Sequence, residues 1–465
     1  MKNGYPKFAV VGHPNKGKSS IVSTLAHDES VHISNVPGAT TNQRSYPLQI
    51  DGITLYELYD TPGFQRARAI LAWLKEEETP AHQRVDRVKR FIYEHRNNPK
   101  FHDEIELLQP ILDGAGIIYV VDGSKPYGLE YEAEMQILEW TGQPSMALIN
   151  MIGDTDYTNE WNLALRHYFQ MVRAFNPMTA DFKQHTKILE SMAQLKEEWI
   201  EPIRKSIDVF NDYHLKKIES SAHIITQLVL NSLGYVVSLP IDDISTVNES
   251  DKNRLLERYK SQLRKIEGNS HKKISKEWSH LSIEKDINNN IFEEMDLFSN
   301  QSETLFGLNK KELLWSGIAG GALTGSSIDL MMAGSSFMLG SAIGAIIGGA
   351  GVVFGYDEIA KIEVLGQQLG KKNLEIGPMQ NPNFPYILLQ RALYYTKEMA
   401  NKPHANRDMV SLIEILESNR VEIPSEEKKI LEKIHSIARR GQTIKTKDFD
   451  TYMGVIYSLL EKSIK

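Results

Sequence analysis

Residues 7–26 read KFAVVGHPNKGKSSIVSTLA, and this succession decides the fold of the first part of the chain. Phe8 to Val11 is a short apolar run of the buried-strand type, GHPNKGKS from Gly12 to Ser19 is a glycine loop, and SIVSTLA reads as a helix. In that order, Gly12 and Gly17 let backbone N–H groups converge on phosphate oxygens, while the helix N-terminus adds partial positive charge. Lys18 is then placed to reach β- and γ-phosphates and Ser19 to ligate magnesium, with Lys16 and Ser20 beside them in the phosphate-binding set. A glycine turn ahead of a helix is the bland alternative. A second motif argues against it: Ile53 to Tyr59 alternates like a strand and ends in Asp60-Thr61-Pro62-Gly63. Asp60 is placed to hold the magnesium shell, and the Gly63 N–H is available to a γ-phosphate.

Three marks together, the GxPNxGKS form of the loop, PGATT from Pro37 to Thr41, and DTPG followed by an apolar residue, resemble the TrmE/Era-like branch of P-loop GTPases. The likeness covers about the first 185 residues. It implies GTP and GDP as ligands, Mg2+ as cofactor and hydrolysis at the γ-phosphate. It also implies that Thr40, ahead of Thr41, closes over the magnesium in the triphosphate state. Thus Lys18, Gly63, Thr40 and Asn15 are the catalytic candidates, and Ser19, Thr40 and Asp60 the magnesium set. In potassium-activated relatives the asparagine of PNxGKS helps bind a monovalent cation between the α- and γ-phosphates; Asn15 occupies that place, with a loop-capping role and no K+ as the alternative. Phe64 stands where Ras-like GTPases carry the glutamine that orients water, a task an aromatic ring cannot perform.

The rest of this region alternates α and β. Ile117 to Val121 reads as a buried strand ending at Asp122, Glu130 to Trp140 as a helix, and Ser145 to Asn150 as a strand ending where base recognition belongs. There the family's NKxD is replaced by Asn150-Met151-Ile152-Gly153, with Asp154 one position late. Asp154 either reaches the base through a longer loop or is a solvated loop carboxylate. After the strand-like Met171 to Phe175, Thr179-Ala180 resembles the final [ST]A motif, whose backbone N–H would contact the guanine oxygen.

Two helical stretches, Ala67 to Glu77 and His82 to His95, fall in an insertion near 65–112. Its Arg84, Arg87, Lys89, Arg90 and Arg96 supply either a trans-acting arginine, an acidic-partner patch or a solvated face. From about Asp181 helices dominate, with apolar stripes through 186–312. Residues 313–355 are apolar and small, with glycines at fourfold spacing and Asp329 the single charge, which predicts a helical hairpin. Its arms are short for a bilayer, so it either contacts a membrane or is zipped into a helical core. Amphipathic segments resume over 356–465, around Ile359 to Leu369, Tyr386 to Met399, Met409 to Leu416 and Thr451 to Ile464.

The fold class is therefore an α/β P-loop GTPase domain with a doubly wound, mostly parallel sheet, followed by a mainly α-helical domain containing the glycine-rich hairpin. A length of 465 residues calls for several cores. The net charge of −7 argues against a chain devoted to capturing nucleic acid, and the absence of cysteine excludes disulfides and thiolate sites. The N-terminus lacks a signal-peptide succession, which predicts cytoplasmic synthesis, with inner-membrane association if the hairpin inserts. The expected function is a GTP-binding and GTP-hydrolysing switch. Its partners are a protein, a second copy in a nucleotide-dependent homodimer, or a membrane. The competing readings are a nucleotide-gated scaffold with little turnover and an RNA- or ribosome-assembly GTPase.

Overall fold

Strand β1, Lys7–Val11, alternates strictly between two cores: Phe8 and Val10 face one, Ala9 and Val11 the other. This explains why the run is apolar at every position, since a strand covered on both faces has no polar side to show. The computed structural model describes residues 5–26, 44–50, 52–241, 248–278, 296–299, 302, 306–307, 363–364, 367–368, 372–401 and 421–464. Thr40 with the rest of PGATT, the glycine-rich segment 313–355 and the stretch Met409 to Leu416 lie outside the described residues.

Two compact units divide the chain, one of Met1–Leu215 with Asn401–Asp408 and the other of Lys216–Ala400 with Met409–Lys465. The first holds a six-stranded sheet of order β2-β3-β1-β4-β5-β6, with β2 Arg44–Ile50, β3 Ile53–Asp60, β4 Gly116–Asp122, β5 Ser145–Asn150 and β6 Met171–Ala174. Only β2 is antiparallel, pairing with β3; the other neighbours are parallel. From β1 the chain winds first toward β3 and then across to β4, so the strand order reverses at the carboxyl end of β1. Ligands of open α/β sheets bind at such a point.

One face of the sheet is covered by α2 Ala67–Leu74, α3 Arg84–His95, α4 His102–Leu112, α5 Glu130–Trp140 and α6 Thr158–Leu165, which contribute Ile70, Val88, Leu107, Ile137 and Trp161 to a common core. The other is covered by α1 Lys18–Ala26, α7 Phe182–Ala193 and the first part of α8, Glu197–Gly234. Although α/β alternation stops near Asp181, this unit continues to Leu215. Leu189, Met192, Trp199, Ile203 and Phe210 bury their side chains in the same core as Phe8 and Val10, and that burial holds the extra residues to the sheet.

The second unit packs the remainder of α8 with α9 Glu249–Glu277, α10 Phe384–Asn401, α11 Ser425–Arg439 and α12 Thr446–Ile464. Leu255, Tyr259 and Leu263, from one apolar stripe of the 186–312 region, lie in its core, whereas Leu215 of an earlier stripe is exposed. Two features depart from the all-helical expectation. β7, Val237–Ile241, pairs antiparallel with β10, Lys372–Ile376; Leu374 and Ile376 are buried two residues apart, a strand period inside a helical region. Near 359–369, where an amphipathic helix was expected, β8 Glu363–Val364 and β9 Gln367–Gln368 form a short antiparallel pair. In the sequence Gly366 falls within this stretch, and glycine is a poor helix former.

Candidate functional site

The phosphate loop is shaped by backbone geometry. Gly12 has φ +144°, and a Cβ there would stand 2.5 Å from the Val120 carbonyl oxygen, so only glycine fits between β1 and β4. Asn15, exposed at the tip, has φ +59°. Asparagine enters this left-handed region more readily than most residues, which gives Asn15 a conformational reason to be there. Gly17 has no room for a Cβ against the Asn150 amide.

Lys18 curls back so that its Nζ donates to the His13 carbonyl at 3.1 Å, and it is 7% exposed. Burial lowers its ammonium pKa to about 8, with the Asp60 carboxylate partly opposing the shift. One residue on, the Ser19 hydroxyl donates to Asp60 Oδ2 at 2.8 Å. A hydroxyl and a carboxylate so placed are hard oxygen donors that fit Mg2+, an ion usually held by few protein ligands. Ser20 follows, half-buried in the first turn of α1.

Thr61 donates its hydroxyl to the Val10 carbonyl at 2.8 Å, tying the DTPG turn to β1. Gly63 packs directly on the loop: a Cβ there would lie 2.6 Å from the Pro14 nitrogen. The Phe64 N–H donates to the Gly12 carbonyl at 3.2 Å, while its ring is 1% exposed in the core with Ile70 and Leu74. Phe64 is therefore an anchor of the segment, with its ring in the core.

The structure brings together Gly12, Asn15, Lys16, Gly17, Lys18, Ser19, Asp60 and Gly63. Several contacts around these residues were missed in the sequence. Lys16 is buried, with Nζ 3.8 Å from Asp122 Oδ2 and 5.6 Å above the Tyr131 ring. His13 Nδ1 lies 2.8 Å from Glu134 Oε1, and Glu134 accepts from the Tyr119 hydroxyl at 2.9 Å. These pairs span up to 121 residues and leave no local pattern.

The base-side residues divide. The Asn150 amide donates to the Lys16 carbonyl at 3.2 Å, so this side chain braces the phosphate loop. Asp154 and Thr179 are exposed and Ala180 is buried. The Thr179 N–H donates to the Asn176 carbonyl at 3.2 Å. Asn176 also donates its amide to the Met151 carbonyl at 3.2 Å and accepts from the Met178 N–H at 2.9 Å, joining the two base-side loops. The Asn-Pro pair at 176–177 was a legible turn signal. A cleft of about 530 Å³ opens nearby, lined by Met151, Asn176, Thr179, Arg173, Lys187 and Glu190 among others; Asn150, Asp154 and Ala180 are not in its lining.

Most cations of the insertion already have partners. The Arg87 guanidinium lies 3.8 Å over the Trp73 ring and 3.0 Å from Glu77, Arg90 pairs with Glu94 at 2.7 Å, and Lys89 with Asp86 at 3.5 Å. Arg84 lies 3.4 Å from Glu139, and Arg96 stacks over Tyr93.

A family described as "50S ribosome-binding GTPase" matches residues 7–151. Among curated proteins, the GTPase Der of Thermoanaerobacter sp. (strain X514) is 44% identical over 64 residues, 14% of this chain and 14% of that protein. GTPase Der of Pelotomaculum thermopropionicum is 42% identical over 64 residues, and that of Nitrosospira multiformis 42% over 65, each again 14% of both chains. The chain thus spans about one seventh of the length of these relatives. A second family, described as "Domain of unknown function (DUF3482)", matches residues 163–454, more than half of the chain. With a P-loop GTPase domain at its N-terminal end, this chain belongs to the DUF3482 family.

Proposed function

We propose that this chain is a magnesium-dependent GTPase switch of the TrmE/Era-like kind. The observation that carries the reading is the Ser19–Asp60 hydrogen bond, which joins the loop that carries Lys18 to the turn that carries Gly63. Mg2+, when bound, supplies charge to the β- and γ-phosphate oxygens, and Ser19, Asp60 and Thr40 are the residues that would hold it. Lys18, protonated against phosphate, offsets the charge that builds on the β–γ bridge. The Gly63 N–H faces the γ-phosphate and orders its segment when that group is present. Phe64 is in the core, so water must be oriented by something other than a glutamine at this position, and a monovalent cation at Asn15 is the candidate. Guanine contacts are assigned to Asp154 and the Thr179-Ala180 backbone, with Asn150 acting through the loop. The direct test is hydrolysis of γ-labelled GTP by the full chain with Mg2+ and with chelator. Release of phosphate only with Mg2+ supports the reading; equal background in both rejects it.

The helical part, including the segments expected over 186–312, 313–355 and 356–465, would convert nucleotide state into contact with a protein, a second copy or a membrane. Among the described residues no helix is long and apolar enough to cross a membrane, and membrane contact rests on the composition of 313–355. Flotation with liposomes in both nucleotide states tests it. A scaffold that hardly turns over would show binding without phosphate release. The ribosome named in the description of the N-terminal family is a further partner class, opposed by the net charge of −7 and tested by cosedimentation with ribosomal particles.

A further inference from the structure

We infer that Glu104 is a positioning residue for the γ-phosphate-sensing segment: its buried carboxylate clamps the backbone immediately after Gly63-Phe64. The inference rests on the GTPase reading above. Glu104 lies in the first turn of α4 in the insertion and is 0% exposed. Its Oε1 accepts the N–H of Gln65 at 3.1 Å and of Arg66 at 2.6 Å. Arg66 is held a second time, its guanidinium donating to the Lys100 carbonyl at 3.0 Å. Residues 65 and 66 are thereby fixed to the insertion, Phe64 is fixed in the core, and Thr61 is fixed to β1. Gly63 sits between two anchors, facing Pro14.

A purely structural role is a poor account of this carboxylate. Burying an ionised group is costly, and Oε2 has no hydrogen-bond partner among the described residues. The N-terminal end of α4 favours an anion, but an exposed acid would serve the helix equally well. What the buried position adds is two charge-assisted bonds to the backbone that must present Gly63. Holding that backbone beforehand reduces the ordering entropy lost when the γ-phosphate arrives. A diphosphate, which lacks that group, gains nothing from the clamp.

The test compares full-length wild type and Glu104→Gln, an isosteric change that removes the charge, in affinity for GDP and for a non-hydrolysable GTP analogue with Mg2+. The expected result is a loss of about tenfold for the triphosphate analogue with GDP unchanged within about twofold. Equal losses for both, or no loss for either, would overturn the positioning role. Failure of the wild type to bind either nucleotide would overturn the GTPase reading and the clamp with it. Should the variant not fold, hydrogen exchange on the wild type decides: the Gln65 and Arg66 amides should be protected with GDP and with the analogue alike, and fast exchange at both overturns the clamp.

Discussion

Ser19 and Asp60, 41 residues apart in sequence, meet through a hydrogen bond of 2.8 Å, with the hydroxyl donating to the carboxylate. The phosphate loop and the DTPG turn are thus already joined where a divalent cation would join them. Ser19→Ala should leave nucleotide binding in chelator nearly unchanged and abolish the gain that Mg2+ brings. Lys18→Ala should weaken binding of the triphosphate by about 100-fold or more, as expected for removing a desolvated cation from a phosphate site. Titration of fluorescent nucleotide with and without Mg2+ checks both; wild-type behaviour in both variants would sink the site.

The buried ammonium of Lys18 gives the site a pH signature. Its pKa is lowered to about 8 in the free protein by burial, and a bound triphosphate would hold it protonated. The complex then carries more protons than the free protein at higher pH. Affinity should be flat below pH 8 and fall above it, approaching about tenfold per pH unit. Calorimetric titration between roughly pH 7 and 9.5 should also record net proton uptake on binding above pH 8. A flat profile would mean that Lys18 stays charged in the free loop.

Asn15 is open to a salt test. If it ligates potassium, hydrolysis should be faster in potassium than in sodium at equal ionic strength, and Asn15→Ala should erase the difference. Equal rates in the wild type would leave Asn15 with its left-handed backbone conformation as its whole role.

For the base, GTP should displace labelled GTP far better than ATP does. Asp154→Ala should lower that preference by about tenfold while leaving ATP unaffected. Asn150→Ala should act differently, weakening both nucleotides together through the lost bond to the Lys16 carbonyl. Competition curves for the two variants separate base reading from loop bracing.

In the helical unit, Arg391 donates to Glu267 at 2.6 Å with both side chains buried, and also to Ser302 at 3.0 Å. Glu267→Ala would leave a guanidinium in the core and should destabilise this unit by about 3–5 kcal/mol. Denaturant unfolding followed by circular dichroism checks it; a midpoint equal to wild type would show that the pair is relaxed by water.

Strands β1, β4 and β5 were legible because strands covered on both faces are continuous apolar runs; the antiparallel edge strand β2, Arg44–Ile50, was not read. Ser145 to Asn150 and the helix Glu130 to Trp140 have the bounds read from sequence. The phosphate loop was legible because its backbone demands glycine at Gly12 and Gly17. What escaped were contacts made by distance outside the recognised motifs: Glu104 on Arg66, Glu134 on His13, Asn176 between two loops. A single acidic residue in an amphipathic helix carries no local mark of the backbone it will hold. β7 and β10 escaped for a related reason, since their partner strands lie far apart in sequence and each is only five residues long.

The buried ring of Phe64 bears on how such a protein could be arrested in the laboratory. The position that carries the water-orienting glutamine in Ras-like enzymes here points into hydrocarbon. A polar substitute would strip a core of its aromatic anchor before it affected water, confusing a stalled enzyme with an unfolded one. Gly63 offers a cleaner brake. A single methyl group would meet the Pro14 backbone nitrogen, 2.6 Å away, so that the phosphate loop or the DTPG turn would have to shift.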